Sequence, residues 1–190
     1  MDLNFSLGGR LSVTKIFRFE MAHALPDYDG PCAHLHGHSY RLEVTLSTGA
    51  TQVPTRRETA DGEAAGIGAG PLRAAETGRP GAAAGSTEGM VMDFSQLKRM
   101  VEDTIIAQVD HALVLDERME PTLIAALRKI NTKLVLTPFT PTSENMLLWF
   151  AQTLADAIAG RPEWTARGLR LQKLRLYETA TSFAEWENTL

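Results

Sequence analysis

Along residues 13–23 (VTKIFRFEMAH), Val13, Phe17, Phe19, Met21 and His23 share one parity. Lys15 alone breaks it, and Arg18 and Glu20 take the other face. Alternation of this kind is the period of a half-buried strand. Residues 39–47 (SYRLEVTLS) repeat it, with Tyr40, Leu42, Val44 and Leu46 on one face and His36 and His38 extending that parity backwards. The connection from Ala24 to Cys32 concentrates turn formers: Pro26, Asp27, Asp29, Gly30 and Pro31. The pattern predicts an antiparallel hairpin with a long loop. His23 would end one apolar face beside the start of the face headed by His36 and His38. Gly37 between them carries no side chain, so backbone or ligand can approach closely.

Residues 1–12 carry little signal. From 49 to 89 the composition changes to Gly, Ala, Thr, Pro and Arg, with Val53, Ile67 and Leu72 the only branched aliphatics. Such a stretch buries too little surface to offset its ordering entropy. It reads as a flexible insertion into a single domain spanning 1–190. Residues 89–93 (GMVMD) then predict a short strand that ends at a helix start. Asp93 is the N-cap and Gln96 stands at the capping-box position. Phe94, Leu97, Val101 and Ile105 follow at helical spacing. Pro121 can start a short helix, and residues 134–139 (LVLTPF) read as a short extended piece. Residues 141–144 open a second long helix with the stripe Leu147, Phe150, Leu154 and Ile158, which Gly160 and Pro162 stop. In the last strand, 169–178, Leu169 and Leu171 share one parity while Leu174 and Leu176 share the other. A one-residue slip at Gln172–Lys173 predicts a β-bulge. Residues 182–186 add a final strand, so the layering is α+β.

Composition narrows the function classes. The 190 residues, 44% hydrophobic and 22% charged, suit a soluble globular domain with a real core. A net charge of −4 offers no basic field to nucleic acid. No apolar run reaches membrane-spanning length, and the N-terminal residues lack the form of a signal peptide. The single cysteine cannot pair within the chain. The expected setting is therefore a reducing cytoplasm with the thiol free for chemistry.

The candidate chemistry gathers at the head of the hairpin. Three inward imidazoles, His23, His36 and His38, are costly to bury without partners, and a divalent metal supplies one. Imidazole suits zinc, copper, iron or nickel, and no carboxylate at matching spacing favours an iron triad over zinc. Three protein ligands leave the fourth tetrahedral position open, the catalytic pattern. His34, of the same parity, would close it as a fourth ligand and make the site structural. Cys32 lies in the loop leading to the metal, either as a ligand or as a base beside it. Asp110–His111 is either a helix-end turn or a functional pair. Glu178 ends the apolar face of the last long strand and needs a cationic or amide partner.

These residues lie in segments that resemble the 6-pyruvoyl-tetrahydropterin synthase and 6-carboxytetrahydropterin synthase family: FEMAHAL, CAHLHGHSY, GMVMDFSQLK, VDHALVLD, PTSEN and LYETATS, in this order. The resemblance covers nearly every segment outside 49–89. It implies a tunnelling fold (T-fold), with two helices packed on a four-stranded antiparallel sheet. It also implies a ring-forming homo-oligomer, a trimer or hexamer, with active sites between subunits. By the same resemblance His23, His36 and His38 bind Zn2+ and Cys32 abstracts a proton. Asp110 and His111 complete the catalytic triad, and Glu178 anchors the guanidine-like edge of a pterin. The implied substrate is 7,8-dihydroneopterin triphosphate. The spacing Cys32-x-x-x-His36-x-His38 is similar to that of the bacterial carboxy-forming enzymes of queuosine and deazapurine synthesis, whereas the pyruvoyl-forming enzymes of animals have a longer gap. A related folate-pathway subgroup carries glutamate where this chain has Cys32. A non-catalytic pterin- or metal-binding relative and a three-histidine zinc hydrolase are the other classes. Cys32 and Glu178 discriminate against the hydrolase, which needs neither.

Overall fold

The computed structural model describes residues 10–49, 89–130 and 133–189. β1 (Ser12–His23) and β2 (His36–Ser47) form the expected hairpin, antiparallel and in unbroken register from Ser12 opposite Ser47 to His23 opposite His36. Alternation decides which face is buried. Phe17, Phe19 and Met21 turn inward against Tyr40, Leu42, Val44 and Leu46, while Arg18 and Glu20 face out. Phe19 and Tyr40, directly opposite, stack at 5.2 Å between ring centroids. Burying each large side chain of this set contributes roughly 1.5–3 kcal/mol.

α1 (Phe94–Val101) is capped by Asp93, whose carboxylate accepts the Ser95 amide at 2.6 Å. It passes through a π-helical turn, Glu102–Ile106, into the single turn α2 (Ala107–Val109). Leu97, Met100, Val101, Ile105 and Val109 are buried along it, but Phe94, expected in that stripe, is 50% exposed at the first helical position. Residues 89–93 form no strand. They run without regular structure, with Val91 and Met92 buried beneath the helix start. β3 (Ala112–Asp116), α3 (Pro121–Ile130) and β4 (Leu134–Thr137) follow. α4 (Ser143–Ala159) begins at Thr142, whose hydroxyl accepts the Asn145 amide at 3.2 Å, and buries Leu147, Phe150, Leu154 and Ile158 as its spacing predicts. The short α5 (Pro162–Thr165), β5 (Arg170–Tyr177) and β6 (Phe183–Glu187) complete the chain.

The sheet has six strands in the order β4-β3-β1-β2-β5-β6, not four, and it is mixed, because β3 runs parallel to both β1 and β4. The reason is legible in β3. All five of its residues are buried: Ala112 and Val114 join the main core, while Leu113 and Leu115 join a second cluster on the opposite face with Leu134, Leu136 and Leu127 of α3. A strand covered on both sides shows no alternation, so pattern alone cannot tell it from a helix-end segment. The expected bulge is present. Thr45 pairs with Lys173 but Leu46 pairs with Leu171, leaving Gln172 unmatched, so Leu171, Leu174 and Leu176 can all be buried. The segment read as an insertion lies, apart from its two ends, outside the described residues. Among the described residues no helix is long and apolar enough to cross a membrane.

Candidate metal centre and the groups around it

Because His23 pairs directly with His36, and His38 stands two residues further along the same face, the three rings meet at one end of the hairpin. Their centroids are 4.6, 5.4 and 4.8 Å apart, and one nitrogen from each lies within 4.8 Å of the other two. Nδ1 of His23 faces the Pro141 carbonyl at 2.8 Å, and Nδ1 of His36 faces the His34 carbonyl at 2.7 Å. A carbonyl only accepts, so both Nδ1 atoms carry the proton and both Nε2 atoms present a lone pair. The Nε2 atoms of His36 and His38 are buried without a hydrogen-bond partner among the described residues. Buried ring nitrogens left without partners are unfavourable, and a cation held between them would satisfy them. Burial lowers the pKa of His23, which is 1% exposed, against the opposing pull of the Pro141 bond and of Glu178. A neutral imidazole is the ligand form, and three converging imidazoles with an open fourth side fit Zn2+.

Glu178, the residue after β5, stands at that open side. Its Oε1 lies 3.4 Å from His23 Nε2, 3.6 Å from His38 Nε2 and 3.4 Å from the Tyr40 hydroxyl, which donates to it. Burial first, and the Glu178 charge second, raise the Tyr40 pKa, so the phenol keeps its proton and remains a donor. Tyr40 was legible only as a core position. Its sharing of parity with His38 was the signal that it lies beneath the site.

Cys32 occupies the one-turn 3-10 helix Pro31–Ala33 that leads into β2. It is half-buried, and its carbonyl accepts the Leu25 amide at 2.9 Å, closing the base of the loop. The thiol is outside the three-residue ligand group, yet near enough to Tyr40 for its charge to add to the upward shift there. His34 contributes its carbonyl to His36, and its own ring is exposed and outside the ligand group.

Asp110 and His111 sit where α2 meets β3. His111 has φ 58°, a left-handed conformation, and its Nδ1 lies 3.0 Å from Asp110 Oδ1. The same oxygen accepts the Glu20 amide at 3.0 Å, and the His111 amide donates to the Glu20 carbonyl at 2.6 Å. Burial opposes ionisation of Asp110, but the Glu20 hydrogen bond and His111 outweigh it, leaving the carboxyl below its usual value. His111 lines a concavity of about 360 Å3 with Glu20, Ala22, Gly37, His38 and Ser39. The pair thus lies over the strand face of Glu20 and Ser39, whereas the metal-facing imidazoles lie on the face of Phe19 and Tyr40.

Comparison with known proteins identifies the family and the fold. The family model for 6-pyruvoyl tetrahydropterin synthase matches residues 12–58 and 80–189. A protein named 6-carboxy-5,6,7,8-tetrahydropterin synthase from Haemophilus influenzae is 30% identical, over 92% of this chain and 97% of its own. One of the same name from Synechocystis sp. is 28% identical over 92% and 91%. Among solved structures, an uncharacterised protein of Wolinella succinogenes superposes with a TM-score of 0.61 at 20% identity, covering 94% of this chain and 98% of that one. The 6-pyruvoyl tetrahydropterin synthase of Plasmodium vivax gives 0.56 at 16% identity, over 95% and 99%. These structures share the fold, and with a family match over most of its length the chain belongs to the 6-pyruvoyl tetrahydropterin synthase family.

Proposed function

We propose that the chain is a zinc-dependent lyase that converts 7,8-dihydroneopterin triphosphate, with uptake of water, to 6-carboxy-5,6,7,8-tetrahydropterin, acetaldehyde and triphosphate, breaking the carbon–oxygen bond to triphosphate and one carbon–carbon bond of the side chain. The observation that carries this reading is the convergence of three imidazoles, each with a ring nitrogen turned to the others, with Glu178 at their open side. The relatives named for the carboxy product, at 92% coverage of this chain, favour it over the pyruvoyl product. So does the spacing Cys32-x-x-x-His36-x-His38.

His23, His36 and His38 would hold the ion. Bound there, zinc supplies Lewis-acid polarisation of the substrate side-chain oxygens. The remaining roles belong to the chain. Cys32, in the loop beside the site, is the base that takes a proton from the substrate side chain. Glu178, ionised, accepts two N–H bonds from the pterin ring. Tyr40, held as a phenol, keeps that carboxylate oriented. A single reducing-compartment thiol is consistent with a cytoplasmic enzyme. Incubation of the zinc-loaded protein with dihydroneopterin triphosphate, followed by mass spectrometry, is expected to show 6-carboxytetrahydropterin and acetaldehyde. A 6-pyruvoyl product alone moves the assignment to that reaction, and no turnover leaves a binding protein.

The catalytic set is completed between copies of the chain. Asp110–His111 lies over the opposite strand face from the imidazoles, and β4 and β6 present sheet edges that a ring of subunits would cover. Cys32→Ala and His111→Ala proteins, each inactive alone, should regain a fraction of wild-type activity when co-expressed or mixed after dissociation. Persistent inactivity of mixed assemblies shown to contain both variants would exclude a shared site.

A further inference from the structure

Of the three imidazoles, His23 is the one oriented from across the fold. His36 uses the carbonyl two residues before it, whereas His23 Nδ1 donates to Pro141, 118 residues further along the chain. Pro141 is buried in the connection between β4 and α4, residues 138–142, which belongs to neither strand nor helix. Such a connection has no backbone ladder to hold a carbonyl in place, so side chains must do it.

They come from three elements. Thr137, the last residue of β4, donates its hydroxyl proton to the Phe139 carbonyl at 2.7 Å, with the Leu115 carbonyl 3.2 Å away as a second, shared acceptor. The Thr140 hydroxyl donates to Asp116 Oδ2 at 3.0 Å. The Thr140 carbonyl accepts Asn145 Nδ2 at 2.9 Å and the Thr142 amide at 2.8 Å. Asp116 is only 4% exposed and is itself held by Arg118, whose backbone N–H and Nε reach Oδ1 at 2.9 and 2.8 Å while its Nη2 reaches Oδ2. The peptide units on both sides of Pro141 are therefore clamped, and the proline ring fixes its own φ. The clamp is also in register with the ligand, because β3 pairs with β1 at Val114 opposite His23, two residues before Asp116.

We propose that Asp116, Thr140 and Asn145 are positioning residues of the metal centre. They fix the Pro141 carbonyl that keeps His23 in its Nδ1–H form with Nε2 turned towards His36 and His38. The inference rests on the reading of those imidazoles as a metal site. Outer hydrogen bonds of this kind set the tautomer and ring orientation of a ligand, and losing one lowers metal affinity by about 10–100-fold.

Thr140→Val keeps the shape of the side chain and removes the bond to Asp116. The test measures zinc affinity by chelator competition, the visible absorption of the Co2+-substituted protein, and thermal unfolding. Thr140→Val is expected to bind zinc about 10–100-fold more weakly and to shift the cobalt spectrum, and Thr140→Ser to restore both. A merely structural role would lower the unfolding temperature while leaving the affinity and spectrum of the folded protein unchanged. Should Thr140→Val fail to fold, Asn145→Ala is read in the same way. The wild-type apoprotein gives an independent arm: imidazole 15N shifts must show His23 protonated at Nδ1, and protonation at Nε2 overturns the proposal. A wild-type protein that takes up neither metal sinks the metal reading itself. Wild-type binding matched within twofold by Thr140→Val, with an unchanged spectrum, sinks this inference alone.

Discussion

His38→Ala is expected to abolish stoichiometric zinc binding while leaving the fold intact. The ring is partly exposed at the head of β2, and among the described residues its Nε2 has no hydrogen-bond partner, only the Glu178 carboxylate 3.6 Å away, so its removal strips little that holds the fold. What it removes is one of three donors, and two imidazoles make a poor site for an ion that wants four ligands. The loss should exceed the roughly 10–100-fold that an outer hydrogen bond contributes to affinity. Metal analysis of the purified protein, with chelator competition and circular dichroism alongside, measures it. One equivalent of zinc held with wild-type affinity by folded His38→Ala would falsify the three-imidazole centre.

Cys32→Ala should behave in the opposite way, keeping the metal and losing the reaction. The thiol lies outside the ligand group, so all three imidazoles remain. Removing a general base typically lowers the rate on the order of a hundred- to ten-thousand-fold. The expectation is a fall of that size in kcat with one zinc still bound. Glu178→Ala provides the contrast. Its carboxylate would contact a part of the ring that does not react, so its loss should appear mainly in KM. Unchanged turnover in Cys32→Ala refutes the assigned base, and loss of zinc from that variant would make Cys32 a ligand instead.

Much of this site was legible before any fold was known, because strands report their faces directly. Parity alone put His23, His36 and His38 on one side of two strands, and the turn cluster between them made the strands neighbours. The slip at Gln172 was visible for the same reason: Leu171 and Leu174 cannot share a face unless one residue is extra. The strand β3 escaped this reading, and β4 showed only as a short extended piece with no place in the sheet. Residues 112–115 and 134–136 are apolar on both sides because the main core covers one face of β3 and α3 the other, and a continuous apolar run carries no period. Residues 89–93 failed in the reverse direction. Their apolar side chains are buried under a helix start rather than across a sheet, and burial without pairing looks the same in sequence.

The one-dimensional pattern, then, determined which residues are candidates for the chemistry and which of them share a face, since period and parity are local properties of the backbone. Tertiary structure decided the rest. His34 and His36 have equal parity, but only the start of β2 separates the ring that turns inward from the one whose carbonyl serves its neighbour. Asp110–His111 proved a true contact pair, yet on the strand face opposite the imidazoles, because β3 enters the sheet beside β1 in parallel. The partner of His23 is a backbone carbonyl 118 residues away. A carbonyl is present at every position and leaves no mark on residue type, so only the meeting of the β4–α4 connection with the end of β1 could select the one at Pro141.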